Sequence, residues 1–315
     1  MKPSDFDYPL PRELIAQEPL PRRDASRLLV LHPDGGLEHR SFPDVVEYLR
    51  DRVVYLNDTR VLPARLILRR LTGGRVEALL VRRLEGLRWH ALLDTPRSLH
   101  PGERLRVDDH TFALLTGREE DRWVLEFDRE PDLGRLGRAP LPPYIRRPAE
   151  PRDRERYQTV YAARDGSIAA PTAGLHFTPE ILARLRTRFL TLHVGVGTFK
   201  PVRTARVEDH RMEPEYYEIP EPPEGPVAAV GTTTCRALET WARTGRTRGW
   251  TDLFIHPPFE FRAVRTLLTN FHLPRSTLLM LVCALAGRER VLAAYAEAVR
   301  QRYRFFSYGD AMLIL

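Results

Sequence analysis

Between Arg65 and Asp128, six short strand-like runs follow one another with no helix among them: Arg65–Arg70, Arg75–Leu84, Arg88–Asp94, Arg104–Val107, Thr111–Leu115 and Arg122–Asp128. Turn signals separate them at Thr72-Gly73-Gly74, Glu85-Gly86, Pro101-Gly102, Asp108-Asp109 and Glu120-Asp121. Six short strands at near-regular spacing predict a small antiparallel barrel or sandwich. Pro140-Leu141-Pro142-Pro143 punctuates the chain after it.

The flanking sequence reads differently. A helix is expected over Phe42–Arg52 and a buried strand over Val53–Leu56. Thr178-Pro179-Glu180 has the hydroxyl, proline and early acid of a helix start. Strands are expected at Phe189–Val194, Val227–Val230, Asp252–His256 and Ala311–Leu315. Helices are expected over Cys235–Arg243, Leu278–Ala286 and Arg288–Arg304. Strands alternating with helices predict an α/β layer. The simplest organisation is a discontinuous α/β domain, residues 1–64 plus 141–315, carrying an inserted all-β domain, residues 65–140.

Composition narrows the function classes. A hydrophobic content of 43% and a charged content of 29% exclude global disorder. The longest apolar run, Leu278–Ala286, is too short to cross a bilayer, so no membrane partner is expected. No apolar leader precedes Leu10, and two cysteines 48 positions apart make neither a disulfide framework nor a zinc pattern. A cytoplasmic location is the expectation. The 49 basic and 42 acidic residues leave a net charge of +7, which favours a polyanionic partner. All but two of the basic residues are arginine, so the cluster at 146, 147, 152, 154 and 156, interleaved with Asp153 and Glu155, reads first as a solvated face. Asparagine occurs twice, at Asn57 and Asn270, either as turn and cap residues or in roles that need an amide.

Five clusters carry polar groups. Gly195-Val196-Gly197 follows a strand, but Lys200 and Pro201 break the dinucleotide fingerprint, leaving a plain turn or a close backbone approach to a ligand. Gly231-Thr232-Thr233-Thr234 lies between a strand and a helix, where open α/β sheets place ligands; simple helix capping is the alternative. Pro171–Phe177 puts Thr172, Gly174 and His176 in one loop without a nucleophile-elbow serine. His176, His193 and His210 share no metal spacing, and no metal site is expected. Thr269–Pro274 and Phe306–Asp310 combine aromatic and polar groups in a way that suits a purine or an ordinary core edge.

Taken together, blocks spread along the chain resemble the S-adenosylmethionine:tRNA ribosyltransferase-isomerase family of queuosine biosynthesis. They include Asn57-Asp58-Thr59-Arg60-Val61, Leu141-Pro142-Pro143-Tyr144-Ile145, Tyr157–Tyr161, Ala170–Phe177, Leu192–Phe199, Glu208-Asp209-His210, Thr269–Pro274 and Tyr303–Met312. Departures are Thr234 for a usual serine, Cys235 for valine, and His256 and Pro258 for tyrosine and glycine.

The resemblance implies an α/β domain with an inserted barrel. It implies transfer and isomerisation of the ribosyl moiety of S-adenosylmethionine onto 7-aminomethyl-7-deazaguanine at the tRNA wobble position, releasing adenine and methionine. S-adenosylmethionine is consumed as donor, so no cofactor is expected, and a monomer is. Within the matching blocks His176 and His272 are the candidates for proton work, with Asp310 beside them. Asp58 and Asp310 are expected to hold ribose hydroxyls or the cationic donor, and Thr232 and Thr233 the methionine carboxylate or ribose. Arg60 and Arg211 are candidates for phosphate or carboxylate. Asn57, Thr172, Gly174, His193, Gly195, Gly197, Thr198, Asn270 and Tyr308 complete the expected substrate-binding set.

Overall fold

A computed structural model describes residues 1–199 and 202–315; the side chains of Thr198 and Phe199 lie outside the described part. The chain forms two compact units. One comprises Met1–Arg60, Pro142–Arg147 and Arg156–Leu315, the other Val61–Leu141 and Pro148–Glu155. The second unit therefore starts four residues before the expected boundary and also takes in Pro148–Glu155.

That second unit is a closed six-stranded antiparallel barrel, as the turn spacing predicts. Around it run Arg122–Phe127, Arg88–Asp94, Arg75–Arg83, Arg65–Arg70, Arg104–Arg106 and Phe112–Glu119. Alternate residues fill its interior, among them Leu66, Leu68, Val76, Ala78, Leu80 and Ala91.

The first unit is built on a nine-stranded mixed sheet. From edge to edge its strands are Arg248–Thr251, Glu215–Glu218, Arg186–Leu192, Val53–Asn57, Val227–Val230, Val264–Asn270, Ala311–Ile314, Arg27–Leu31 and Leu37–Ser41. The central four, from Arg186–Leu192 to Val264–Asn270, are parallel. Because side chains alternate across a sheet, Leu29, Leu31 and Tyr55 enter one core while Leu28, Val30 and Val54 enter the other. The first core lies under helices Thr232–Thr244, Thr277–Ala286 and Arg288–Arg300. The second is closed by Phe42, Val45, Leu49, Phe177 and Ile181. Apolar runs such as Val227–Val230, buried at every residue, are what a sheet covered on both faces requires.

Several local expectations change. Asp252–His256 is not a strand; the edge strand is Arg248–Thr251, and the Leu253 carbonyl is taken by the Arg236 guanidinium at 2.9 Å instead of a ladder. The last helix stops at Arg300, and the helix expected at Cys235 begins at Thr232. The strands Arg27–Leu31, Leu37–Ser41, Glu215–Glu218 and Val264–Asn270 have no counterpart in the sequence reading.

Two devices fix this unit. Glu239, fully buried on the helix Thr232–Thr244, accepts the N–H groups of Arg262, Ala263 and Val264 at 2.9–3.1 Å and pairs with Arg243 at 2.6 Å. It thus holds the segment that leads into Val264–Asn270. Arginines supply the second device by clamping main-chain carbonyls distant in sequence. Arg27 holds Gln301, Arg60 holds Ala162, Arg147 holds Gln17 and Arg156 holds Pro21, all within 3.0 Å. A guanidinium presents several donors in a fixed fork, which suits such contacts better than an ammonium.

Candidate functional site

The four parallel strands end at Leu192, Asn57, Val230 and Asn270. Just beyond these carboxyl ends lies a cavity of about 680 Å³, open to solvent, in the place where α/β sheets bind ligands. Val194, Gly231–Thr233 and Thr269–Leu273 line it from the strand ends, the loop Ala169–Ala173 crosses over it, and Tyr144, Phe306 and Ser307 close its side.

The floor follows from local sequence. Gly231 has φ +92°, a conformation that favours glycine, and it turns the chain from strand directly into helix. No side chain caps the helix there. The first-turn N–H groups of Thr232 and Thr233 therefore meet the cavity at the positive end of a thirteen-residue helix. His272 also lines the cavity, with one ring hydrogen bond to protein, between Nε2 and Thr269 Oγ1 at 2.7 Å. Its backbone is pinned by the Tyr295 hydroxyl at 3.0 Å and by the Tyr8 hydroxyl. Burial pushes the His272 pKa down to about 3, so the ring is neutral.

His176 sits beside the cavity, behind Asn270. Its Nδ1 meets Ser26 Oγ at 2.8 Å, and the Asn270 side chain approaches the rest of the buried ring. Burial lowers its pKa to about 4; Asn270 works in the opposite direction, and Arg304 and Arg23 add to the depression. Among the described residues no group of three or more His, Cys, Asp or Glu is placed to hold a metal ion.

Comparison with known proteins decides the relationship. The profile of the family described as queuosine biosynthesis protein matches residues 3–314. The chain belongs to the queuosine biosynthesis protein family. It is 50% identical over 338 residues to the S-adenosylmethionine:tRNA ribosyltransferase-isomerase of Thermotoga maritima, covering all of both chains. It is 51% identical over 344 residues to the protein of that name from Pelotomaculum thermopropionicum, again over the full length of both. It also resembles the crystal structure of S-adenosylmethionine tRNA ribosyltransferase from Thermotoga maritima, with a TM-score of 0.54 and 39% identity across 99% of this chain and 100% of that one.

In this queuosine biosynthesis protein the expected site residues divide sharply. Thr172, Thr232, Thr233, Asn270 and His272 converge on the cavity. His176 and Tyr308 line a smaller neighbouring cleft. Asp310 is brought to neither: it is buried and accepts the N–H groups of Arg27 and Arg304 at 2.9 and 2.7 Å. Asn57 is a strand zipper, its amide donating to the Leu192 carbonyl at 2.9 Å and accepting the Leu192 N–H at 3.0 Å. That reciprocal pair explains why an amide stands there, and it reaches Thr233 Oγ1 only at 3.5 Å. Asp58 accepts from Thr191 Oγ1 at 2.6 Å, and His193 Nδ1 meets Thr59 Oγ1 at 2.9 Å, with burial lowering the His193 pKa. Gly195 donates its N–H to Glu215, itself in a buried ion pair with Arg236, and Gly197 lies nearest Glu213. Arg60 and Arg211 are exposed. The Thr198 side chain lies outside the described residues.

Gly174 is a packing glycine. A Cβ there would meet Tyr161 Oη at 2.1 Å and Thr159 Cγ2 at 2.8 Å. Gly174→Ala is expected to cost about 1–3 kcal/mol of stability by overpacking, measured by urea unfolding; an unchanged midpoint would show that Tyr161 yields freely. Tyr144, Thr269, Phe271 and Ser307 line the cavity although the sequence reading assigned them no role. Each lies in a block quoted for the family, so the signal was position beside a named residue rather than residue type.

Proposed function

We propose that this chain is an S-adenosylmethionine:tRNA ribosyltransferase-isomerase, with the cavity at the strand ends as the donor site. The ribosyl carbon skeleton of S-adenosylmethionine passes to the amine of 7-aminomethyl-7-deazaguanine at the wobble position of tRNA. A carbon–nitrogen bond forms to the acceptor, the bonds to adenine and to the methionine sulfur break, and the ribose isomerises to the epoxycyclopentane of epoxyqueuosine. The donor is consumed, so no resident cofactor is invoked, and the enzyme is read as a cytoplasmic monomer. Among the described residues no helix is long and apolar enough to cross a membrane.

One observation carries the assignment of the cavity. In a chain with 47 arginines, no Arg, Lys, Asp or Glu lines it among the described residues. A sulfonium cation is repelled by arginine and would form too fixed a salt bridge with a carboxylate. Hydroxyls, carbonyls and aromatic faces such as Tyr144, Phe271 and Phe306 accept it without either effect. The helix end at Thr232 and Thr233 suits the methionine carboxylate, which orients the donor. His272, neutral and inside the cavity, is the group placed to handle a proton at the ribose or the departing adenine.

The test is adenine release from S-adenosylmethionine with and without tRNA bearing the aminomethyl-deazaguanine. Stoichiometric adenine that depends on that tRNA is expected. Tight tRNA binding without any adenine would reject the reading.

A further inference from the structure

The small cleft next to the cavity is charged where the cavity is not. It is a shallow, open depression spanning about 290 Å³, open solvent included, and is lined by Leu20 and Tyr308, by Arg22, Arg23 and Arg156, and by His176. Asp24 offsets Arg22, which grips it through two bonds of 3.1 and 2.8 Å. The remaining guanidiniums are turned partly to the main chain: Arg23 Nη1 donates to Leu175 at 3.3 Å and Arg156 Nη1 to Pro21 at 3.0 Å. Arg156 Nε is buried with no hydrogen bond. A net positive wall beside apolar surface and one tyrosine ring is what a nucleotide recognises: phosphate on the arginines, base against the ring.

Cleft and cavity adjoin. Ser307 lines both, and it meets Tyr144 Oη at 2.6 Å. Between them stand His176, 4% exposed and lining the cleft, and Asn270, lining the cavity, with their side chains close enough to interact.

We propose that this cleft receives the acceptor nucleotide of the RNA, its phosphate on Arg23 and Arg156 and its base beside Leu20 and Tyr308, so that acceptor meets donor at His176, Asn270 and Ser307. The proposal rests on the ribosyl-transfer reading above and adds the place of the acceptor. His176 then acts from the acceptor side and His272 from the donor side.

The experiment measures steady-state adenine release against tRNA concentration, and S-adenosylmethionine binding by calorimetry, for the wild type, Leu20→Trp and Arg156→Gln. Leu20→Trp fills the cleft, and Arg156→Gln removes charge without bulk. The tRNA KM is expected to rise about tenfold or more in each, the equivalent of one good contact, with donor affinity within about twofold. Unchanged tRNA KM in both variants overturns the cleft while leaving the reaction standing. Loss of donor binding in both overturns it too, because the cleft would then belong to the donor site. Absence of adenine from the wild type rejects the reaction itself.

Discussion

Alanine at position 272 is expected to lower turnover by about 10²–10⁴-fold, the usual weight of a positioned acid–base group. Donor affinity should change little, because the carboxylate end of the ligand is assigned to Thr232 and Thr233. His272 is a histidine that lines the cavity, and its backbone is fixed from two sides by Tyr8 and Tyr295. With its pKa pushed down to about 3, it carries no charge across the physiological range, so no limb of the pH–rate profile between about pH 5 and 8 belongs to it. Single-turnover adenine release is the measurement; a rate within about threefold of wild type would remove His272 from the chemistry. The same burial has a stability signature. His272 and His176 both titrate below the unfolded value near 6.5. The unfolded chain therefore binds more protons from about pH 6.5 down to about 3–4. Their contribution to stability is complete above that window and is lost as the pH falls through it. His176→Gln should flatten that fall.

The second large effect is expected far from the cavity. Glu239→Ala should destabilise the α/β unit by about 3–5 kcal/mol, the range for breaking a buried ion pair. The carboxylate holds three consecutive N–H groups, and its removal leaves them buried without acceptors, with Arg243 losing its partner. Glu239→Gln should recover part of the loss, because the amide oxygen can still accept the three N–H groups that meet Oε1, while its N–H₂ group faces Arg243 in place of the Oε2 acceptor. Urea unfolding followed by tryptophan fluorescence and circular dichroism reads the change; a loss below about 1 kcal/mol in the alanine variant would show that water reaches these groups.

The barrel was legible because its information is local. Each strand ends in a Gly, Asp or Pro turn, and pairing between neighbours needs nothing from the rest of the chain. The central strand Val264–Asn270 was not, because a strand covered on both faces has no alternation, and its register is set by Val227–Val230 and Ala311–Ile314. The cavity was half legible. Thr232, Asn270 and His272 stand at or just beyond the ends of elements, in short polar stretches whose chemistry is visible in one dimension. Asp310 looked equally reactive, yet its carboxylate is occupied by two backbone N–H groups, a fact that only tertiary contacts reveal. Glu239 had a faint signal: it falls with Cys235, Leu238 and Ala242 on the helix stripe that should be apolar.

The arginine clamps give the molecule an unusual covalent reactivity. Dicarbonyl reagents that condense with guanidinium groups would release Arg27, Arg60, Arg147 and Arg156 from the carbonyls they hold, loosening loops at many points. Amine-directed reagents meet the α-amino group and two lysines, Lys2 and Lys200. Labelling or immobilisation through amines should therefore leave the framework intact, whereas glycation by small dicarbonyls should age it quickly.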